Sequence, residues 1–231
     1  NFNEESARSS IRDTYQQIIR DLKAAASFLP ISSIHPMRPS KPAAYAMLAR
    51  TYLSMGDYAN AGLYADSCLS LKGELLDYNI LNSSDTYPVP QFNSEVIFES
   101  FTPPPAPLSS SRARINDALY QSYTPNDLRK TMFFKNNNNG SYAFKGSYEK
   151  GPALFMGIAT DELYLIRAEC YARTGNVQDA MRDLNTLMIK RWKKNSFIPF
   201  TASNSQAALT VILTERRKEL LMRGLRWADI K

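Results

Sequence analysis

Apolar residues near the start of the chain recur three or four positions apart, which is the spacing of one face of an α-helix. The pattern runs from Ser6 to Leu29, and polar side chains occupy the positions between. Pro30 ends it, and further prolines within residues 36–42 favour an extended connector. The spacing therefore predicts an amphipathic helix followed by a connector. The apolar positions of this helix are Ile11, Tyr15, Ile18, Ile19, Leu22, Ala26 and Leu29.

A helical hairpin is predicted over residues 41–71. Pro42 suits the first turn of a helix, where an N–H would have no intrahelical partner, and Gly56 suits its end. Asp57 can then cap the next helix, which runs from Tyr58 to Leu71. Small residues on this second helix allow it to approach the first closely. The pattern thus predicts two antiparallel helices joined by a short turn.

The same pattern returns over residues 161–191, again with a glycine between two helical segments. Small residues recur where the helices of each pair would cross, which is the spacing of the tetratricopeptide (TPR) repeat. A free-standing array needs roughly three such repeats. We therefore expect other helices to complete the core, including a final helix over residues 205–224. The equivalent pairs are Ala49 and Ala168, Tyr52 and Tyr171, Gly56 and Gly175, Tyr58 and Val177, and Ala61 and Ala180.

Helical periodicity is lost between the two hairpins. Residues 72–159 contain runs of proline, serine and asparagine that are typical of loops. Two short elements are predicted within them, a strand over Glu95–Phe101 and a helix over Ala113–Ser122. A loop region of this length is usually functional, since loops on a rigid scaffold often carry binding residues. The chain is therefore predicted to be all-α, an α-α superhelix of TPR-like hairpins packed with additional helices, with a long loop-rich insertion.

Composition and charge place few limits on function. Apolar residues make up 44% and charged residues 22% of the chain, near the average of globular proteins. The net charge is +6, and cations are concentrated over residues 190–194 and 216–218. We expect these clusters to be solvated helix ends, where cations suit the helix dipole. Nucleic-acid binding through the first cluster is the less favoured alternative, and it predicts strong salt dependence.

Residues suited to catalysis or metal binding are sparse. The one histidine, His35, lies beside a proline in the connector, so a histidine-based triad or metal site is poorly supported. Cys68 and Cys170 fall inside helical segments, where we expect buried free thiols. Most acidic residues are expected at helix caps, on helix surfaces or in the repeat turns. The chain is therefore expected to have no catalytic residue, no metal and no cofactor. The acids in question include Asp57, Asp66, Asp161, Asp179 and Asp183.

Three segments resemble signature motifs of the SusD/RagB family. The most specific is Glu215–Leu220 with the residues that follow it to Asp229, which is similar to E-R-R-x-E-L…G-x-R-W-x-D. Residues 162–169, read ELYLIRAE, are similar to a second family segment, and residues 95–99, read EVIFE, resemble the family's E-I-I-F-E. The first helix also resembles the family, through its Y-x-x-I-I-x-D-L pattern and the Leu-Pro pair that ends it.

The resemblance implies a division of the chain and a location. The N-terminal part would be residues 1–92, and the C-terminal part residues 93–231, with its loop-rich segment over 93–159. Residues 1–6 carry no signal peptide, but family members are longer at both ends, so the resemblance implies a preceding signal peptide and lipid-carrying cysteine and further chain beyond Lys231. It thus implies a lipoprotein of the outer membrane that faces the cell exterior.

The signature residues are expected to hold the last helix against the hairpins through paired charges and indole packing. Arg216 lies on the apolar stripe of this helix, where a charge needs a partner, and Glu169 is the partner we expect. Arg223 and Leu225 stand where the family pattern has glutamate and histidine, so the ion pairs nearby are expected to differ. The residues given this structural role are Glu169, Arg216, Glu219, Arg226, Trp227 and Asp229.

The resemblance further implies non-catalytic binding of a glycan or another oligomeric nutrient, for delivery to a SusC-like TonB-dependent transporter. Sugar rings stack on exposed aromatic side chains, and polar side chains hydrogen bond to their hydroxyls. The insertion supplies such residues, although packing within loops is the simpler role for each. The alternative function is a TPR-type scaffold that holds a partner's peptide or helix. The candidate ligand-binding residues are Tyr87, Phe92, Asn93, Arg112, Arg114, Tyr123 and Tyr142.

Overall fold

The computed structural model describes residues 8–230 of the chain. The helices within them are α1 (Ile11–Phe28), α2 (Lys41–Met55), α3 (Tyr58–Leu71), α4 (Asp117–Gln121), α5 (Arg129–Phe133), α6 (Thr160–Arg173), α7 (Val177–Met188), α8 (Ser205–Glu219) and α9 (Arg226–Asp229). The strands are β1 (Val96–Phe98), β2 (Phe101–Thr102), β3 (Phe134–Asn136), β4 (Tyr142–Phe144), β5 (Leu154–Phe155) and β6 (Ile158–Ala159). The strands are only two or three residues long, so the predicted all-α fold is confirmed.

The first helix is capped by a serine. The Ser10 hydroxyl accepts a hydrogen bond from the backbone N–H of Asp13 at 3.1 Å, so α1 begins at Ile11. The predicted start at Ser6 lies outside the described residues. The apolar face of α1 packs on α2, where Ile19 and Leu22 contact the core.

The first hairpin has the bounds that the sequence predicts. Gly56 ends α2 with a φ of 76°, a left-handed conformation that glycine adopts without the steric penalty of a Cβ. The Asp57 carboxylate then accepts the backbone N–H of Asn60 at 3.1 Å and caps α3. Local chemistry alone therefore accounts for this turn.

The second hairpin is also present, and it packs against the first through α3 and α6. A Cβ on Gly62 would lie 3.2 Å from the Cβ of Cys170, so these helices approach closely at that point. The predicted end of α7 near Arg191 is wrong. The helix ends at Met188 because the chain turns there and carries the Arg191 side chain into the interior, with none of it exposed. The assignment of the hairpins as TPR-like and the division at residue 92 stay predictions.

The insertion forms three antiparallel two-stranded sheets, which pair β1 with β6, β2 with β5 and β3 with β4. The predicted strand Glu95–Phe101 is split into two because the N–H of Glu99 leaves the ladder and donates to the carbonyl of Pro36 at 2.9 Å. The predicted helix over Ala113–Ser122 is shorter, since Asn116 caps α4 by accepting the N–H of Leu119 at 3.2 Å.

The last long helix ends earlier than residue 224. α8 stops at Glu219, and Met222 and Gly224 adopt left-handed φ values of 62° and 71° that are incompatible with a continuing helix. Among the helices within residues 8–230, none has the length and apolar character needed to cross a bilayer.

Candidate functional site

A cluster of buried charged side chains joins the insertion to α8. We call it the ion network. Arg191 lies at its centre, and its Nε donates to Glu219 at 2.6 Å while its Nη2 donates to Glu95 at 2.7 Å. Its Nη1 donates to the backbone carbonyl of Leu76 at 2.7 Å. Charge-assisted hydrogen bonds of this length are strong, so Arg191 fixes the segment after α3, the start of β1 and α8 together.

Arg129 is a second centre of the ion network. Its guanidinium donates to Asp127 at 2.7 and 2.9 Å and to Glu219 at 3.0 Å. The ammonium of Lys218 lies 2.9 Å from Glu215 and 3.2 Å from Asp127. Glu219 therefore bridges the two arginine centres, and α5 is held on the same face of α8.

The ion network continues to α6 through Arg223, whose Nη1 donates to Asp161 at 3.0 Å. The hydroxyl of Tyr148 hydrogen bonds to Glu95 and lies 3.1 Å from Asp161. Burial raises the pKa of Glu95 to about 7, although the charge of Arg191 opposes the shift. The expectation that Asp161 lies at a helix cap or surface is wrong, because this carboxylate is fully buried as the partner of Arg223.

The two basic clusters of the sequence are only partly the solvated helix ends that we expected. Arg191 is buried, and Arg216 and Lys218 are 3% and 4% exposed. Lys193 and Lys194 are exposed as expected. Part of the difference has a local signal in the sequence, because Glu215 precedes Lys218 by three positions on α8 and lies 2.9 Å from its ammonium.

The expected ion pair between Arg216 and Glu169 is wrong. Arg216 Nε donates to Asp229 at 3.2 Å, and Glu169 instead accepts from Arg173 at 2.8 Å, one helical turn along α6. An i, i+4 partner on the same helix is available without any tertiary rearrangement, which explains why Glu169 pairs locally.

The short helix α9 contributes one of its signature residues to the packing and exposes two. Asp229 reaches Arg216 on α8, whereas Arg226 is exposed and Trp227 is 88% exposed. Residues two positions apart on a helix point to opposite sides, so Trp227 cannot share the direction of Asp229. The expected packing of this indole is therefore wrong, whereas Arg216, Glu219 and Asp229 all take part in ion pairs of the last helices.

Three candidate ligand residues lie on the segment before β1. Phe92 is 39% exposed, adopts a φ of 53°, and meets the ring of His35 edge to face with centroids 4.7 Å apart. Tyr87 is half-buried and packs against Gly146. The amide of Asn93 donates to the carbonyl of Pro90 at 3.0 Å and accepts the N–H of Glu95 at 3.0 Å. Asn93 thus shapes a turn, while Phe92 presents an aromatic surface.

A second group lies around the hairpin of β3 and β4. The rings of Tyr142 and Tyr120 stack with centroids 3.5 Å apart and an interplanar angle of 14°. The ammonium of Lys130 lies 4.5 Å from the centre of the Tyr120 ring. Arg112 and Arg114 are exposed on the stretch that leads into α4. We call Tyr120 and Tyr142 the tyrosine pair; Tyr120 has no motif that could have marked it in the sequence.

Tyr123 is not available to a ligand. None of the side chain is exposed, and its hydroxyl donates to the backbone carbonyl of Lys218 at 2.8 Å. Its ring also lies beside Arg129, with 5.6 Å between the guanidinium carbon and the ring centre. Tyr123 is therefore part of the packing around the ion network. The prediction that it binds a ligand is wrong.

Comparison with known proteins finds a similar family model and similar folds. Residues 1–53 match a SusD-like family model described as starch-binding and associating with the outer membrane. No curated protein matches the sequence.

Solved structures match almost the whole chain. A SusD-like protein from Bacteroides fragilis is 19% identical with a TM-score of 0.74, and 100% of this chain covers 62% of it. A SusD superfamily protein from Bacteroides thetaiotaomicron is 24% identical with a TM-score of 0.76, and 99% of this chain covers 57% of it. A SusD-like carbohydrate-binding protein from Bacteroides vulgatus is 21% identical with a TM-score of 0.70, and 96% of this chain covers 52% of it. The chain thus spans less than two thirds of each structure, and the likeness shows the fold.

Proposed function

We propose, from the premise that this chain belongs to the SusD-like family, that it binds glycans without changing them chemically. The observation that carries the proposal is the match of residues 1–53 to a model described as starch-binding. The likeness in fold to a SusD-like carbohydrate-binding protein supports the same class of ligand. This chain covers 52% of that structure. Glycan binding by the whole protein is therefore also part of what we propose.

The tyrosine pair is the place on the insertion where we propose that a sugar ring stacks. One face of Tyr142 covers Tyr120, and within residues 8–230 no other ring or cation lies over Tyr142. Tyr142 is half-buried, and we propose that the exposed part of its ring takes the apolar face of a pyranose ring. The exposed guanidinium groups of Arg112 and Arg114 supply hydrogen-bond donors on the neighbouring stretch. Phe92 is a second, separate aromatic surface.

The proposal includes a location and a partner. The matched family model is described as associating with the outer membrane, which supports a position at the cell surface. We propose that the whole protein is held there by a lipid anchor and passes its glycan to a SusC-like TonB-dependent transporter. Binding without hydrolysis suits such a role, because a transporter needs an intact oligosaccharide.

Isothermal titration calorimetry of this chain with maltoheptaose and with a panel of plant and host oligosaccharides tests the proposal. We expect at least one saccharide to bind. Tyr142→Ala should weaken that binding by about 1–3 kcal/mol, the magnitude expected when an aromatic stacking surface is removed. Tyr15→Ala removes an equally half-buried tyrosine from α1 and should leave the affinity unchanged.

Two results would contradict the proposal. Absence of binding to every saccharide by the chain and by its full-length parent would reject glycan binding. Equal losses in Tyr142→Ala and Tyr15→Ala would reject the tyrosine pair as the place of binding and leave the function standing.

A scaffold function is the second candidate, and one cavity favours it. The cavity has a volume of about 230 Å³ and lies where the two hairpins meet α8 and α9. Its wall includes Arg50, Tyr58, Arg173 and Arg216. Within the described residues, the buried Nη1 of Arg216 has no hydrogen-bond partner, so it can donate to a carbonyl or carboxylate of a bound segment. Crosslinking in native membranes separates the candidates: recovery of a TonB-dependent transporter supports delivery, and recovery of a soluble protein alone supports the scaffold.

A further inference from the structure

A cavity at the end of the second hairpin lies away from the tyrosine pair. It has a volume of about 550 Å³, within the roughly 300–1,000 Å³ typical of small-molecule sites. We call it the lysine cavity. Its lining includes Asp77, Asn79, Trp192, Lys193, Lys194 and Phe197.

The walls of the lysine cavity are held rigidly by backbone hydrogen bonds. The Asn79 amide donates to the carbonyl of Trp192 at 2.9 Å, and its oxygen accepts the N–H of Lys194 at 2.8 Å. The N–H of Lys193 donates to the carbonyl of Asn126 at 2.9 Å. Asn195 then adopts a left-handed φ of 63°, which asparagine tolerates better than most residues. The lysine side chains are therefore carried on a preorganised loop.

The charge of the cavity is strongly unbalanced. Lys190 lies 3.5 Å from Asp77, which is the acidic member of the lining. Lys193 and Lys194 are exposed, and no carboxylate within residues 8–230 lies within 4.0 Å of either ammonium. Two cations are thus available to a ligand, at a place where the chain already has a net positive charge.

The floor of the cavity is aromatic. Trp192 is 9% exposed and meets Phe197 edge to face, with ring centroids 5.6 Å apart. Its ring is supported from the interior by Arg129, whose guanidinium carbon lies 5.4 Å from the ring centre. Only a small part of the indole is exposed, and the half-buried Phe197 beside it adds to the apolar surface that the C–H groups of a sugar ring can contact.

We propose that the lysine cavity is a subsite for an anionic saccharide, whose sulfate or carboxylate groups pair with Lys193 and Lys194 while a ring edge rests on Trp192 and Phe197. The inference rests on the proposed glycan binding and narrows its ligand to acidic glycans. The two lysines can pair with a charged substituent, and the apolar side chains beside them favour a saccharide ring over a flexible acidic chain.

Calorimetry with a matched series of tetrasaccharides tests the subsite and separates the two anionic groups. The series is a sulfated chondroitin tetrasaccharide, its desulfated form with carboxylates only, and a desulfated, carboxyl-reduced form without charge. We expect affinity to fall in that order, and to fall with added salt for the charged members. Equal affinities for the sulfated and desulfated forms would show that Lys193 and Lys194 bind the carboxylates of the saccharide rather than its sulfates.

Charge-neutralising variants test the residues. Lys193→Gln combined with Lys194→Gln should weaken binding of the charged tetrasaccharides about tenfold and leave the uncharged form and maltoheptaose unaffected. Arg12→Gln combined with Arg217→Gln removes the same charge from exposed positions outside the cavity and outside the β3–β4 hairpin, and should change little.

The outcomes distinguish the subsite from the proposed function. If maltoheptaose or another neutral glycan binds but charged tetrasaccharides bind no better, or if both double variants behave alike, the subsite is rejected and glycan binding stands. If no saccharide binds, both are rejected. If duplex DNA binds as tightly as the sulfated tetrasaccharide and shows the same loss in Lys193→Gln with Lys194→Gln, the surface is a general polyanion site and the subsite is rejected.

Discussion

The Nε of Arg191 lies 2.6 Å from the carboxylate of Glu219, and neither side chain is exposed. The same guanidinium reaches Glu95, so one residue joins the end of the second hairpin to α8 and to the start of β1. Removing ions from water costs several kcal/mol each, and a buried ion network offsets this only while every member has its partners. The packing of the insertion on the hairpins therefore depends on Arg191.

Arg191→Met is expected to lower the free energy of unfolding by about 3–5 kcal/mol, because it leaves the carboxylates of Glu95 and Glu219 without their arginine. Urea unfolding followed by circular dichroism measures this. Arg217→Met is the matched control, since Arg217 belongs to the same signature motif but is exposed, and its effect should stay within about 0.5 kcal/mol. Similar losses in the two variants would show that the ion network is not a stabilising centre.

The contrast between the hairpins and the ion network shows what the sequence could predict. Gly56 and Asp57 end one helix and begin the next through contacts with near neighbours, so local pattern was sufficient for the first hairpin. The partners Arg191 and Glu95 lie 96 positions apart, and only the packed structure brings them together. A buried charge needs a partner, but the sequence does not show which of several distant carboxylates provides it.

Burial was also hard to predict for tyrosines that lie close together in the sequence. Tyr120 lies on α4 and Tyr123 just after it, yet Tyr120 stacks on Tyr142 near the surface while Tyr123 is completely buried. The orientation of a short helix such as α4 decides between these environments, and no periodic pattern is long enough to define it. The packing predicted for Trp227 is wrong for the same reason. The rotation of the four-residue α9 about its axis determines which of its side chains face α8.

Glu99 should make stability depend on pH. Its carboxylate oxygens are buried without a hydrogen-bond donor in the described residues. Burial, followed by the neighbouring carboxylate of Glu149, raises its pKa from 4.5 to about 9. Between these values the folded protein holds a proton that the unfolded chain has released, so the free energy of unfolding falls as pH rises. Thermal midpoints should accordingly decline from about pH 5 to about pH 9.

Glu99→Gln should flatten the part of this decline above about pH 7, where the buried Glu95 contributes little, and raise the midpoint at the alkaline end, because an amide cannot ionise and can donate to Glu149. The control is Glu74→Gln, which changes an exposed glutamate and should reproduce the slope of the unmodified chain. Parallel profiles for all three proteins would refute the assignment of the slope to Glu99.

Close packing of the hairpins should make Gly62 intolerant of large side chains. A Cβ there would already lie 3.2 Å from the Cβ of Cys170, so Gly62→Leu forces α3 and α6 apart. We expect a loss of about 1–3 kcal/mol in the free energy of unfolding, the usual effect of overpacking. Ala59→Leu, at an exposed position of the same helix, is the control and should change stability little. Equal effects of the two leucines would mean that α3 and α6 are not in close contact.

The two thiols should be inert while the protein is folded. Cys68 and Cys170 are buried, and burial raises the pKa of each to about 12. The thiolate is the reactive form, and at pH 8 such a thiol is ionised in only about one molecule in ten thousand. A chromogenic disulfide reagent should therefore react with neither in the native chain and with both in denaturant. Ser70→Cys places a thiol at an exposed position two residues after Cys68 and should react at once, whereas native reaction of Cys170 at a similar rate would show that the α3–α6 contact opens readily.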